Sequence, residues 1–367
     1  MVLLKDICTK DSSSIAQKDL ENRNGIYPIY GASGFIKNVD FYQQESPYIA
    51  VVKDGAGVGR VMCLPGKSSV IGTMQYIIPN DGVNVSYLAY ALEHMNLAKY
   101  YTGATIPHIY FKDYCNEVLP AHTQEEQGKI AASLDKVCEL ISLRKEQLAK
   151  LDQLVKSRFI ELFGDPVQNP MEWEMVLLKS ATSKIGSGAT PKGGKESYQT
   201  EGITLIRSMN VHDGRFEYKD LAHITDEQAK QLENVTVEEN DVFINITGAS
   251  VARSCIVPKH ILPARVNQHV AIIRCITSML NPVFANQMFL NTSFKGQLLD
   301  IGESGGATRQ AITKQQLETL MVILPPLELQ KQFATFVEQT YKSKLAIQQS
   351  LKKLELLKKS LMQQYFG

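Results

Sequence analysis

The feature that most constrains this chain is a stretch of 37 residues that occurs twice. GKIAASLDKVCELISLRKEQLAKLDQLVKSRFIELFG (Gly128 to Gly164) lies over KQFATFVEQTYKSKLAIQQSLKKLELLKKSLMQQYFG (Lys331 to Gly367) at a constant offset of 203, with nine identities that include Leu148/Leu351, Leu151/Leu354, Leu154/Leu357 and Phe163/Phe366. In the first copy an apolar seam steps by 4 and 3 through Ile130, Leu134, Val137, Ile141, Leu148, Leu151, Val155 and Leu162, with Arg144 and Arg158 on the same line. The second copy carries Phe333, Val337, Ile347, Leu351, Leu354 and Leu361 on the matching seam, interrupted by Thr340, Lys344 and Lys358. This is the heptad period of a coiled coil. A helix of about 40 residues is about 60 Å long, more than a small domain can cover, so the two copies are expected to pack on each other. The basic seam residues need acidic neighbours or a partner subunit, because like charges repel across a helix pair.

The repeat extends beyond the helices. MVLLK (Met1 to Lys5) recurs as Met175 to Lys179, GAGVGR (Gly55 to Arg60) lies over GASVAR (Gly248 to Arg253), and at the same offset of 193 Gln75 lies over Gln268. Gly103-Ala104-Thr105 matches Gly306-Ala307-Thr308 at the helix offset. The offset climbs from 174 to 193 to 203, so the second copy has gained loops while keeping the order of its elements. Between these anchors, short β-branched and aromatic runs such as SPYIAVVKDG and DVFINITG are bounded by Gly, Pro and Asp, and helical patterns follow at Val85 to Tyr101 and Pro282 to Leu299. Each half reads as an α/β or α+β globule whose last strand, EVLP or MVILPP, feeds the long helix. Thr123 and Glu126 form the pattern of a capping box, and Gly164 followed by Pro166 suits a helix end. PVQNPMEW (Pro166 to Trp173) is a semi-rigid connector in which Trp173 is expected to pack the junction.

Composition, 44% apolar and 21% charged, is that of an ordinary globular protein. No stretch resembles a membrane span or signal peptide, which makes a cytoplasmic location the expectation. The six cysteines are scattered without metal-ligand spacing and are expected to be reduced core thiols. The formal net charge of +1 is less basic than most nucleic-acid binders, but the second long helix carries seven Lys against three Glu from Glu328 onward. PGKSS and GGKES imitate phosphate loops, yet Val61 and Ala189 stand where glycine is required. No catalytic constellation and no metal site is visible, and two similar globules on a two-helix frame suit a protein that touches two places at once. Polar residues able to read base edges sit beside strand ends: Arg60, Arg253, Gln75, Gln268, Asn267, His269 and Arg265. Lys53, Lys192, Arg207 and Arg309 are candidates for positioning phosphates.

Several of these segments carry a family resemblance. IPHIYFKDYCNEVLPAHTQEEQGKIAASLDKV, LVKSRFIELFGDP, KIGSGATPKGG with YQTEGITLIRSMNV, and GATRQAITKQQLETLMVILPPLELQKQF resemble the DNA specificity (S) subunits of Type I restriction-modification systems, in that family's order. The resemblance implies a fold of two duplicated α/β (α+β) target recognition domains, separated by a long antiparallel two-helix coiled coil with a pseudo-twofold internal repeat. Recognition domains would cover 1–122 and 165–325, and the conserved helices 123–164 and 326–367. It also implies a non-catalytic subunit that reads a bipartite, asymmetric site on double-stranded DNA. Two methyltransferase subunits and two motor-nuclease subunits would assemble on it, and S-adenosylmethionine, ATP and Mg would belong to those partners. One departure stands out, since the Glu126-Gln127 pair of the first helix start becomes Leu329-Gln330 in the second. A stand-alone methyltransferase with an unfamiliar site and a coiled-coil scaffold without DNA affinity remain open as alternatives.

Overall fold

The repeated patterns become two repeated bodies. The structure, a computed structural model, describes residues 1–103, 107–191, 193–303 and 310–367. It divides into two compact units, Met1–Gln147 with Ile347–Gly367, and Leu148–Ala346.

In the first unit the chain runs β1 (Val2–Leu3), α1 (Leu4–Ile7), β2 (Cys8–Ser12), β3 (Tyr27–Gly31), β4 (Gly34–Val39), β5 (Tyr48–Val52), β6 (Val61–Leu64), β7 (Ser69–Val70), β8 (Met74–Pro79), α2 (Val85–His94), α3 (Phe111–Tyr114) and β9 (Val118–Leu119), and enters α4 (Gln124–Phe163). The second unit holds β10 (Met175–Leu177), β11 (Thr182–Ser187), β12 (Ile203–Ile206), β13 (Val211–His212), β14 (Arg215–Phe216), β15 (Ala222–Ile224), α5 (Asp226–Gln231), β16 (Val242–Asn245), β17 (Ser254–Ile256), β18 (Ala264–Val266), β19 (Val270–Cys275), α6 (Pro282–Leu290), α7 (Thr292–Glu303), α8 (Lys314–Glu318) and β20 (Met321–Ile323), and leads into α9 (Leu327–Phe366).

The sheets repeat strand for strand. A four-stranded sheet of order β2-β8-β5-β6 in one unit is β11-β19-β16-β17 in the other, and a three-stranded sheet β4-β3-β7 is β15-β12-β18. In both smaller sheets the last pairing is parallel, Tyr30 opposite Val70 and Ile206 opposite Val266. The duplicated MVLLK forms β1 and β10, which pair antiparallel with β9 and β20, the strands that feed the long helices. Next in line, Leu4 and Leu178 are both fully buried and their carbonyls accept from Cys8 Sγ and Thr182 Oγ1. Among the described residues the hairpin β13–β14 has no counterpart in the first unit, and it belongs to the loops gained by the second copy.

Each long helix divides its 40 residues between the units. In the first unit Ile130, Ala131 and Leu134 of α4 join Met362 and Phe366 of α9 in one core with α2. Further along, Lys145 meets Glu355 at 3.8 Å, so the segments run antiparallel. In the second unit Val155, Phe159 and Phe163 pack with Phe333 beneath α6, where Phe163 and Phe284 rings lie 4.7 Å apart. Ile130, Leu134, Val137, Val155 and Phe333 of the seam are buried, and Ile141, Leu148, Leu151, Leu162, Val337, Ile347, Leu351, Leu354 and Leu361 are half-buried. Acidic residues sit beside three of the four basic seam positions, Lys344 with Asp152, Lys358 with Glu93 at 2.7 Å and Arg158 with Glu161 at 2.8 Å, whereas Arg144 donates to Gln147 at 2.7 Å.

The two helix starts differ in letters and agree in one function. Thr123 and Glu126 form the capping box, Glu126 accepting from Thr123 N at 2.7 Å. Pro326 and Leu329 stand in their places without one, but Gln127 and Gln330 act alike. Their side-chain oxygens accept from Asn84 N at 2.9 Å and Asn281 N at 2.8 Å, the residues that cap α2 and α6. Trp173 packs at the junction after α4, its indole N–H donating to Phe163 O at 3.0 Å, and Gly164 takes the left-handed φ of +73° that ends the helix. Only Cys8, Cys255 and Cys275 are core thiols; Cys63 is exposed and Cys115 and Cys138 are half-buried, which corrects the expectation for half of the cysteines.

Candidate nucleic-acid interface

The aligned letters GAGVGR and GASVAR form one backbone structure. The turn from Val52 to Arg60 is closed by Val52 N to Arg60 O at 2.9 Å and Gly59 N to Val52 O at 2.8 Å; Asn245 to Arg253 repeats these as Asn245 N to Arg253 O and Ala252 N to Asn245 O, both at 2.9 Å. A neighbouring strand-like segment holds each turn, Gly55 N donating to Pro107 O and Gly248 N to Gln310 O, both at 2.9 Å. Gly55 and Gly248 have φ of +83° and +73°, where a Cβ is disfavoured. Gly59 has a second constraint, since a Cβ there would lie 2.5 Å from Ala98 N. Its counterpart Ala252 accepts the left-handed region at φ +65°.

Behind each turn lies the segment that opens β8 or β19. Lys53 N donates to Thr73 O and Ile246 N to His269 O, each at 3.0 Å; Ile71 N donates to Tyr30 O and Asn267 N to Ile206 O, again at 3.0 Å. Thr73 and His269 are therefore structural counterparts, as are Ile71 and Asn267. Strand register carries the same offset onward, because Val51 faces Gln75 while Ile244 faces Ala271. Gln75 is thus the counterpart of Ala271, and the letter match to Gln268 is three residues out of register. Gln75 is buried inside the sheet with its amide nitrogen on Tyr114 Oη at 2.5 Å, so it faces the core instead of a ligand.

In the second unit the structure brings several candidates together. His269 Nδ1 lies 2.5 Å from Thr247 Oγ1, and its Nε2 lies 3.1 Å from the Gln268 amide nitrogen. Thr190 Oγ1 donates to Gln268 Oε1 at 2.5 Å, and Asn267 Oδ1 accepts from His269 N at 3.0 Å. An amide NH2 only donates, so His269 Nε2 accepts and the ring hydrogen on Nδ1 points to Thr247. Arg253 sits half-buried at the end of the adjoining turn. Arg207 donates to Asp220 O and lies with its guanidinium 5.3 Å from the Tyr198 ring centre. Arg265 is turned to backbone, donating to Ala229 O at 3.1 Å and Ala264 O at 3.0 Å, which leaves its fork little to offer a base. Lys192 and Arg309 lie outside the described residues, as do Ala104, Thr105 and Gly306 to Thr308.

In the first unit Arg60 is exposed and donates through Nη1 to Ala32 O at 2.7 Å, tying its turn to the β3–β4 turn; Lys53 is half-buried one residue into the turn. Beside them stands a group that the residue-by-residue reading missed. His108 Nδ1 donates to the Asp54 carboxylate, the His108 and Tyr110 rings are 4.0 Å apart, and Lys112 Nζ lies 5.1 Å from the centre of the Tyr110 ring. The signal was the alternation His108, Tyr110, Lys112, which places three polar or aromatic side chains at a spacing of two. Basic and aromatic groups of this kind suit phosphates and stacked rings.

Each unit therefore presents a polar corner on the same scaffold, with Arg60 and Arg253 in common and otherwise different side chains. Residues 1–153 and 170–358 match the family described as Type I restriction modification DNA specificity domain, and the chain belongs to that family. It is 28% identical over 198 residues to the Type I restriction enzyme EcoAI specificity subunit of Escherichia coli, covering 51% of this chain and 32% of that protein, so the match spans about a third of that relative. It is 25% identical over 309 residues to the MjaIX specificity subunit of Methanocaldococcus jannaschii, covering 78% of this chain and 69% of the relative. The S subunit of a Type I restriction-modification system from M. genitalium has the same fold, with a TM-score of 0.66 at 14% identity over 100% of this chain and 95% of that one. A chain from a structural study of complex assembly and conformational transition of the type I R-M system gives 0.56 at 16% identity over 99% and 96%. Among the described residues no helix is long and apolar enough to cross a membrane.

Proposed function

We propose that this chain is the DNA sequence-specificity subunit of a Type I restriction-modification complex and carries no catalytic centre of its own. Each unit reads one half of a bipartite, asymmetric site through the corner formed by its repeated turn and the segment before β8 or β19, with α4 and α9 as the spacer between half-sites. Two methyltransferase subunits, which hold S-adenosylmethionine, and two motor-nuclease subunits, which use ATP and Mg, assemble on the chain. The observation that carries this reading is the duplication itself: one backbone framework, repeated bond for bond, presents Asp54, Arg60 and His108 in one unit and Thr247, Arg253, Gln268 and His269 in the other. A catalytic pair of domains would repeat its chemical groups, whereas a pair of readers repeats its scaffold and varies its side chains. Lys53 and Arg207 are proposed to meet phosphates from beside these corners, and Lys192 and Arg309 are proposed for the same role on sequence grounds.

The test is co-expression with the methyltransferase subunit of the same system, followed by single-molecule sequencing of methylated host DNA. The expected result is adenine methylation at one sequence of two short specific parts separated by a fixed unspecified spacer. Methyl transfer to DNA by the purified chain alone would overturn the non-catalytic assignment, and an absence of DNA binding by the co-expressed complex would overturn the reader assignment.

A further inference from the structure

The two corners share a backbone and differ in relief. In the first unit Gly31, Ser33, Asp54, Ala56, Ile71 and Thr73 line a cleft of about 260 Å³ between the β3–β4 turn, the Val52–Arg60 turn and the start of β8. The backbone pairings place Arg207, Thr247 and His269 at the positions of Gly31, Asp54 and Thr73 in the second unit. There the His269 ring contacts Thr247 at 2.5 Å. Gly31 and Thr73 line a recess in one copy, and the larger Arg207 and His269 stand at their positions in the other.

Beside the polar side chains of Gln17, Ser33 and Thr73, the charged group that this recess offers is a carboxylate. Asp54 is half-buried, with 29% of its side chain exposed, and His108 donates to one of its oxygens, which orients the carboxylate at the wall of the cleft. A carboxylate only accepts hydrogen bonds, and it repels phosphates. On a surface that also carries Arg60 and Lys53, its favourable contact with duplex DNA is an exocyclic amino group on a base edge, cytosine N4 or adenine N6.

We infer that Asp54 is the specificity-determining residue of the first unit, accepting a hydrogen bond from a base amino group that enters the cleft opposite Thr73. The inference rests on the DNA-reading function proposed above and names the chemistry of one contact within it. Its consequence is that the two half-sites are read by unlike means, one by a recessed acceptor and the other through Gln268 and His269.

The experiment uses the full chain co-expressed with its methyltransferase subunit and compares methylated sequences in host DNA for wild type, Asp54→Asn and Thr73→His. Asp54→Asn replaces an acceptor-only group by one that also donates. It is expected to reduce methylation at the original sequence by about ten-fold or more and to admit another base at one position of one half-site. Thr73→His places a ring opposite Asp54, as His269 stands opposite Thr247 in the second unit, and is expected to alter the same position while leaving the other half-site untouched. An unchanged methylated sequence in both variants, each melting within a few degrees of wild type, overturns the inference. Changes scattered over both half-sites overturn it as well. If Asp54→Asn fails to fold, Thr73→His alone decides by the same criterion. A wild-type complex that methylates no bipartite sequence would instead overturn the proposed function, which separates the two failures.

Discussion

At the scale of single residues, Gln330 is the most heavily used polar side chain of the frame. It is fully buried, accepts from Asn281 N, and donates to Met279 O at 3.0 Å and Pro325 O at 2.8 Å. Gln330→Leu keeps the volume and strands those groups at about 1–3 kcal/mol each, so a clear drop in denaturant midpoint is expected. Gln127→Leu, which loses the bonds to Asn84 N and His122 O at a less enclosed site, is expected to cost less. The buried thiols give a pH dependence. Burial pushes Cys8, Cys255 and Cys275 from the ordinary 9.0 up to about 12. Between those values the folded chain keeps protons that the unfolded chain has lost, so these thiols favour folding below about pH 9 and that contribution fades as pH rises toward 12. Midpoints measured across that window should fall, and replacing the three by Ala or Val should flatten the fall. Residue identity was the least legible layer of the sequence. Gln75 and Gln268 match as letters, but the second unit has a longer connection between β17 and β19 than the first has between β6 and β8, and only strand register reveals the slip. Asp54 escaped notice because an acid is not an obvious DNA contact until His108 is seen beside it.

Elements were legible wherever a period persisted. The heptad seam located both long helices, since a 3.5-residue repeat held over about nine turns has few other meanings. It lost accuracy at the helix ends. Near the close of α4, burial passes from Arg158 and Leu162 to Phe159 and Phe163, which point into the second unit's own core against Phe284 and Phe333. Phe333→Ala opens that aromatic cluster and is expected to cost about 3–5 kcal/mol, read as a lowered unfolding midpoint. The duplicated helices also contain, off the seam, an identity that packing does not require. Leu154 and Leu357 are equivalent and exposed at 47% and 45%, and they fit the proposed docking of one methyltransferase subunit on each copy. Leu154→Glu together with Leu357→Glu is expected to leave the melting temperature within a degree or two of wild type and to reduce co-purification of the methyltransferase subunit. Retained co-purification would place the docking surface elsewhere.

For the whole molecule, the order of elements was legible because the second copy preserves it, while the added hairpin β13–β14 and the lengthened loops erased simple alignment between anchors. The proposed spacer role has a geometric consequence. Deleting one heptad, Arg144 to Lys150, shortens α4 by about 10 Å. Under the proposal this abolishes methylation or changes the unspecified spacer, with the specific bases retained. The most direct measurement exchanges Val2 to Glu117 for the corresponding segment of another specificity subunit and maps the methylated sequence of the co-expressed complex. The account predicts that one half of the bipartite site changes to the donor's sequence while the other half stays as it was. A change in both halves, or a single continuous short site before and after the exchange, would contradict it.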